Sequence, residues 1–176
     1  HIGVEGIDPY DEFGVVFPAV RRSTPTVPYL SALYRSMRGY VWSLPVTTEP
    51  AKALGVDIWG YPKFGADITH KEDDSRRRTT VSVDGDRLVT LQVDRSPSVP
   101  VRDEGYNYTV RDDELLRIPV DVDAELGGWP LGGGVSISLG SHPRVEPLKN
   151  LDISERALGR LSLDGEVRFH TGEPIR

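Results

Sequence analysis

The 176-residue chain contains no cysteine. It can therefore form no disulfide, no zinc–thiolate site and no thiol nucleophile, a composition compatible with a cytoplasmic protein. No uninterrupted apolar run is long enough to cross a bilayer, and no secretory signal is visible. An excess of positive charge is also missing. With 21 Lys+Arg against 27 Asp+Glu, the net charge is −6 and the pI near 5.2, which argues against nucleic acid or an anionic membrane surface as partner. The basic run "SRRR" at residues 75–78 follows the acidic "KEDD" and reads as a solvated turn. There is no G-x-S-x-G elbow, no GxGxxG opening a helix and no P-loop. The four histidines, His1, His70, His142 and His170, have no metal-ligand spacing, so no metal is expected.

What is present is ordinary for a globular domain: 38% hydrophobic and 27% charged residues, enough for one sizeable core. A single domain over residues 1–176 is expected. Because the chain begins at His1 rather than methionine, that domain is expected to lack, or not to show, an N-terminal segment. Eighteen Gly and fourteen Pro residues punctuate short runs of Val, Ile, Tyr, Phe and Thr, a β pattern. "FGVVFPAV" and "GYVWSLPV" read as strands, as do "YNYTV", "LLRIPVDVDA", "VSISLG" and "EVRFH". "RTTVSVDGDRLVTLQVD" reads as a hairpin turning at Asp84-Gly85. "TEPAKALG" predicts a short helix with Thr48 as N-cap and Gly55 as stop. "SERALGRL", from Ser154, predicts one or two helical turns. "YLSALYRSM", residues 29–37, has helical spacing, though an irregular strand pair fits it as well. "GGWPLGGG", residues 127–134, reads as a flexible hairpin or loop near a ligand. The fold class expected is mainly β, a β-rich α+β chain forming an antiparallel closed or partly open barrel with a few short helices.

The stretch "DIWGYPKFG", residues 57–65, places Lys63 among Trp59, Tyr61, Pro62 and Phe64. Lysine is almost never fully buried without compensation for its charge. Either its amine snorkels out past the rings, or its chemistry needs a dry place.

"TTEPAKALGVDIWGYPKFG" resembles the central segment of the acetoacetate decarboxylase family, with Glu-Pro-Ala, a glycine followed two places on by an acid, and aromatic-Pro-Lys at the same spacings. Upstream, "YDEFGVVFPAV" is similar to the family's Tyr-x-Glu-x-Gly strand with a proline shortly after. Downstream, the Asp84-Gly85 hairpin, "YNYTVRDDELLRIPVDV" and "FHTGEP" continue the likeness more weakly. The resemblance implies that Lys63 is the Schiff-base lysine and that Glu12 is a carboxylate of the pocket. It implies a small keto-acid substrate, no metal or organic cofactor, and assembly into a homo-oligomer. Two departures stand out. The second lysine that classical members carry directly after the first is here Phe64. The arginine and further carboxylate that they supply from upstream of Glu12 have no counterpart in view.

A Schiff base needs a neutral amine. An ordinary lysine, with a pKa of about 10.4, is neutral at pH 7 in only about one molecule in a few thousand. A neighbouring cation or desolvation can each raise that fraction. Phe64 removes the charge route at its position, leaving desolvation by Trp59, Tyr61 and Phe64, although alternation turns Phe64 to the other face of a strand. Trp59, Tyr61 and Phe64 are the candidate substrate-binding residues; for Trp59, Tyr61 and Trp129, core packing is the plainer role. Tyr29, Tyr34 and Arg35 are further candidates to reach the cavity. Glu49 favours the positive end of the short helix.

Three functions stay open. The first is a lyase decarboxylating a small β-keto acid such as acetoacetate through an iminium on Lys63. The second is a Schiff-base aldolase or dehydratase acting on 2-oxo acids. The third is a non-catalytic barrel binding a small ligand.

Overall fold

The computed structural model of the chain describes residues 2–18, 38–129, 133–151, 157 and 159–175. Their strands are β1 (Ile2–Val4), β2 (Ile7–Tyr10), β3 (Val15–Pro18), β4 (Arg38–Val46), β5 (Lys63–Gly65), β6 (Asp67–Glu72), β7 (Arg76–Val83), β8 (Asp86–Asp94), β9 (Ser98–Arg111), β10 (Glu114–Trp129), β11 (Val135–Leu139), β12 (Arg160–Phe169) and β13 (Glu173–Pro174). Between them lie helix α1 (Glu49–Trp59) and, after a single 3₁₀ turn, the short α2 (Glu146–Lys149). The chain is mainly β.

Two compact units form. The first comprises residues 1–64, 101–124 and 165–176. Its main sheet runs in the order β12-β10-β9-β4-β3, with β13 beside β10 and β5 beside β4. Along β10, Leu116, Ile118, Val120, Val122 and Ala124 are all buried. This period-two pattern is how a strand turns one face inward. Val41, Leu44, Tyr61 and Ile118 make one apolar cluster, with Trp59 packed against it. Tyr10, Val46 and Ala51 make another. The Val, Leu and Ile side chains among them each contribute about 1.5–3 kcal/mol by leaving water.

The second unit, residues 65–100 and 125–164, holds a four-stranded sheet in the order β11-β8-β7-β6. The Asp84-Gly85 hairpin forms as expected: φ is +53° at Asp84 and +84° at Gly85, the pair of left-handed residues that matches strand twist.

Several expectations are corrected. Among the described residues none of the sheets, the β1–β2 pair included, closes on itself, so no closed barrel is seen. The pairing is not all antiparallel either. β4 and β9 run parallel, because the chain leaves β4 through α1 and β5–β8 before returning, the long connection a parallel pair requires. Arg160 and Leu161, expected as the end of a helix, begin β12; Ser154 lies outside the described residues, as does the segment 29–37 with Tyr29, Tyr34 and Arg35. Only residues 73–75 of the acidic–basic run form the turn. Arg76, Arg77 and Arg78 stand on β7, where Arg77 pairs with Glu72 and Arg76 Nε with Asp94 at 2.6 Å. The first residues of "GGWPLGGG" are strand rather than loop. A Cβ at Gly127 would stand 2.9 Å from the Ser96 carbonyl oxygen, so close backbone approach explains that glycine.

Candidate active site

Lys63 opens β5, and the residues just before it set its position. Thr48 caps α1, its hydroxyl accepting from Ala51 N at 3.4 Å, and Pro50 sits in the first turn, where a missing N–H is harmless. The helix does not stop at Gly55. It runs on to Trp59 and ends at Gly60, whose φ is +64°. There Gly60 N donates to Val56 O at 3.0 Å and Tyr61 N to Gly55 O at 3.1 Å, a left-handed cap that satisfies the last carbonyls. The chain then reverses. Leu44 N donates to Pro62 O at 3.2 Å, which docks the start of β5 beside β4.

Glu12 arrives from the other side of β4. It bridges Val46, Phe13 N donates to Pro45 O at 3.0 Å, and Thr47 N donates to Asp11 O at 3.1 Å. Asp11 N in turn donates to the Thr47 hydroxyl at 3.0 Å. The residues that hold Glu12 thus lead directly into the helix that carries Ala51 and Gly55.

Lys63 does not snorkel. Its side chain is only 4% exposed, and Nζ stands 2.6 Å from Glu12 Oε2, whose side chain is 19% exposed. Nζ also donates to the Ala51 carbonyl at 3.3 Å and lies 5.5 Å from the centre of the Tyr10 ring. Among the described residues Glu12 Oε2 has no aligned hydrogen-bond donor. Its contact with Lys63 is an ion pair. The compensation a buried lysine needs is therefore a carboxylate.

Tyr10 and Tyr61, both buried, keep their phenols neutral. Burial, with a smaller push from the Glu12 carboxylate, raises Tyr10 to about 12. Burial also raises Tyr61 to about 12, against a hydrogen bond from Asn107 and helped slightly by Glu12.

Of the residues singled out from the sequence, Lys63 and Glu12 come together. Trp59 and Tyr61 stack with each other, ring centres 5.8 Å apart, and both meet Phe169. Trp59 Nε1 donates to the His170 carbonyl at 2.9 Å. These contacts are those of an aromatic core, although Tyr61 is near enough to feel Glu12. Phe64 is half-buried, on the strand face that alternates with that of Lys63. Glu49 lies in the first helical turn and pairs with Lys52 at 2.9 Å. Tyr10, Ala51 and Gly55 were not foreseen as neighbours of the amine. The spacing of Tyr10 two before Glu12 was the available signal for the first, since alternate residues of an extended chain share a face. Among the described residues no three His, Asp or Glu side chains converge as metal ligands.

The family profile described as acetoacetate decarboxylase (ADC) matches residues 1–176. The chain belongs to the acetoacetate decarboxylase family. Its fold is similar to that of the enduracididine biosynthesis enzyme MppR complexed with pyruvate, with a TM-score of 0.64 and 17% identity over 94% of this chain and 66% of that one. It is also similar to an acetoacetate decarboxylase, with a TM-score of 0.55 and 15% identity over 93% of this chain and 69% of that one. The acetoacetate decarboxylase of Legionella pneumophila gives a TM-score of 0.56 and 15% identity, covering 78% and 60%. The chain thus spans slightly less than two thirds of the MppR chain. No curated protein matches its sequence. These structural likenesses speak for the fold.

Proposed function

We propose that this ADC-family chain is a Schiff-base enzyme for a small keto acid, with Lys63 as the amine and Glu12 as its proton partner. The observation that carries the reading is the buried contact of 2.6 Å between Lys63 Nζ and Glu12 Oε2. A lysine nucleophile must lose a proton before it can attack, and Glu12 stands within reach to accept one.

The sequence of events follows. Lys63 passes a proton to Glu12, and its free pair adds to the keto carbon. Glu12 returns the proton to the carbinolamine oxygen, water leaves, and a protonated imine remains. For a β-keto acid, the bond to the carboxylate then breaks, its electrons flow into the imine, and carbon dioxide departs. The resulting enamine takes a proton at carbon, and water releases the ketone and the amine. Decarboxylation asks for an electron sink and one proton carrier, which is what Lys63 and Glu12 offer; this makes it the preferred reaction.

A second reading, an aldolase or dehydratase acting on 2-oxo acids, is favoured by Phe64 in place of the second lysine. It is also favoured by the likeness to MppR, which has been seen complexed with pyruvate and with the condensation product of pyruvate and imidazole 4-carboxaldehyde. The two separate by product. Turnover of acetoacetate with release of carbon dioxide, abolished by Lys63→Met, supports the first. Condensation or dehydration of pyruvate-derived substrates without carbon dioxide supports the second. Lack of both, with small ligands still bound, would leave the non-catalytic binding protein. Homo-oligomeric assembly and a cytoplasmic location belong to the same proposal; sizing by light scattering and fractionation of cells test them.

A further inference from the structure

Helix α1 buries two residues, Ala51 and Gly55, one turn apart on one face. The Lys63 side chain crosses that face, its amine donating to the Ala51 carbonyl. A Cβ built on Gly55 would stand 2.5 Å from Lys63 Cδ, 2.9 Å from Nζ, and closer still to Cε. The three nearest atoms it would meet all belong to this one side chain. Gly55 is also not at a left-handed position: positive φ is found at Gly6, Gly60, Gly85 and Gly134. The backbone therefore does not ask for glycine here, and glycine inside a helix is unfavourable relative to alanine. What asks for glycine is the lysine.

We infer that Gly55 is a positioning residue: its missing side chain is the slot that lays Lys63 along α1 and brings Nζ to Glu12. The inference rests on the Schiff-base reading for its catalytic meaning, but the slot itself is a matter of packing. The atoms that a methyl group at Gly55 displaces are the far end of a flexible chain, so the fold can accommodate it while the amine cannot stay. Shifted away from Glu12, Lys63 loses both its ion pair and its proton acceptor.

The test is Gly55→Ala, read three ways. Thermal unfolding should remain cooperative, with a midpoint within about 5 °C of wild type, because the helical gain from alanine offsets much of the lost ion pair. Competitive acetylation by acetic anhydride, with Lys52 and Lys149 as internal references, should show Lys63 modified at least threefold faster as it leaves its buried pair. Borohydride trapping of acetoacetate or pyruvate across pH should fall at least tenfold and change its pH profile. A Gly55→Ala protein that acetylates and traps like wild type overturns the inference. So does one that fails to fold, unless Gly55→Ala is tolerated in a Lys63→Ala background, which would show that the clash is with Lys63. If wild type forms no imine with any keto acid while Gly55→Ala still alters Lys63 acetylation, the functional proposal falls and the slot stands.

Discussion

Replacing Glu12 by glutamine isolates the charge that holds Lys63. The Lys63 side chain is 4% exposed and its amine lies 2.6 Å from the carboxylate, so the substitution leaves an ammonium buried with a carbonyl and a ring for company. Removing one member of a buried pair costs about 3–5 kcal/mol. Partial hydration favours the lower end. Glu12 is itself 19% exposed, so water reaches part of the pair. An ordinary lysine can also shed its proton at pH 7 for about 5 kcal/mol, which caps the cost. A loss of about 3 kcal/mol is expected, a fall of roughly 6–12 °C in Tm for a chain of this size. Lys63→Met keeps most of the stem's packing and strands a partly wet carboxylate, so it should cost about 1–2 kcal/mol. In the double variant no charge is stranded, and its loss should fall short of the summed single losses by at least about 1.5 kcal/mol. Urea unfolding followed by tryptophan fluorescence measures all four proteins. If Glu12→Gln stays within about 0.5 kcal/mol of wild type with an unchanged denaturant slope, the buried ion pair is refuted.

The remaining predictions concern the framework of the site. Thr48→Ala removes the cap of α1 and should cost about 0.5–1 kcal/mol in urea unfolding, the low end because the bond it loses is 3.4 Å long. Gly60→Ala should destabilise by at least about 1 kcal/mol, since its φ is +64° and a Cβ would lie 2.5 Å from that of Arg111; a variant as stable as wild type would contradict the left-handed cap. Tyr10 and Tyr61 hold their protons in the folded state to about pH 12, whereas in the unfolded chain they lose them near pH 10. The folded state thus binds more protons in that window, so stability is fully present below pH 10 and is lost as pH rises from 10 to 12. Ultraviolet titration of tyrosinate should show these two phenols ionising last, together with unfolding.

Much of the framework was legible because it is local. Alternation marks the buried face of β10 from Leu116 to Ala124, Asp84-Gly85 marks its hairpin, and Thr48 with Pro50 marks the start of α1. What was not legible depends on distant residues or on unusual turns. Asp112 and Asp113 carry the chain from β9 into β10 with φ of +52° and +63°, a conformation that aspartate tolerates but does not announce. The parallel pairing of β4 with β9 is non-local. Gly55 looks like a helix stop, because nothing in the α1 sequence says that a lysine eight positions on will lie across it. The site divides the same way. Spacing alone does not pair Lys63 with Glu12, since Val46 and Thr47 of the β4 end are what bring them together. The rings of "WGYPKF" point to a buried lysine, but different groups bury it: Tyr10 and α1 pack against the amine, while Trp59 and Tyr61 stack with Phe169.

Reductive trapping on folded protein asks directly whether Lys63 forms an imine. Wild type, Lys63→Met and Glu12→Gln are each incubated with acetoacetate and with pyruvate, reduced with borohydride, and mapped by peptide mass spectrometry. An adduct on Lys63 is expected in wild type, none on the corresponding peptide of the Lys63→Met variant, and a yield at least tenfold lower in Glu12→Gln. Adducts spread over exposed lysines with Lys63 unmodified would contradict the proposed Schiff base.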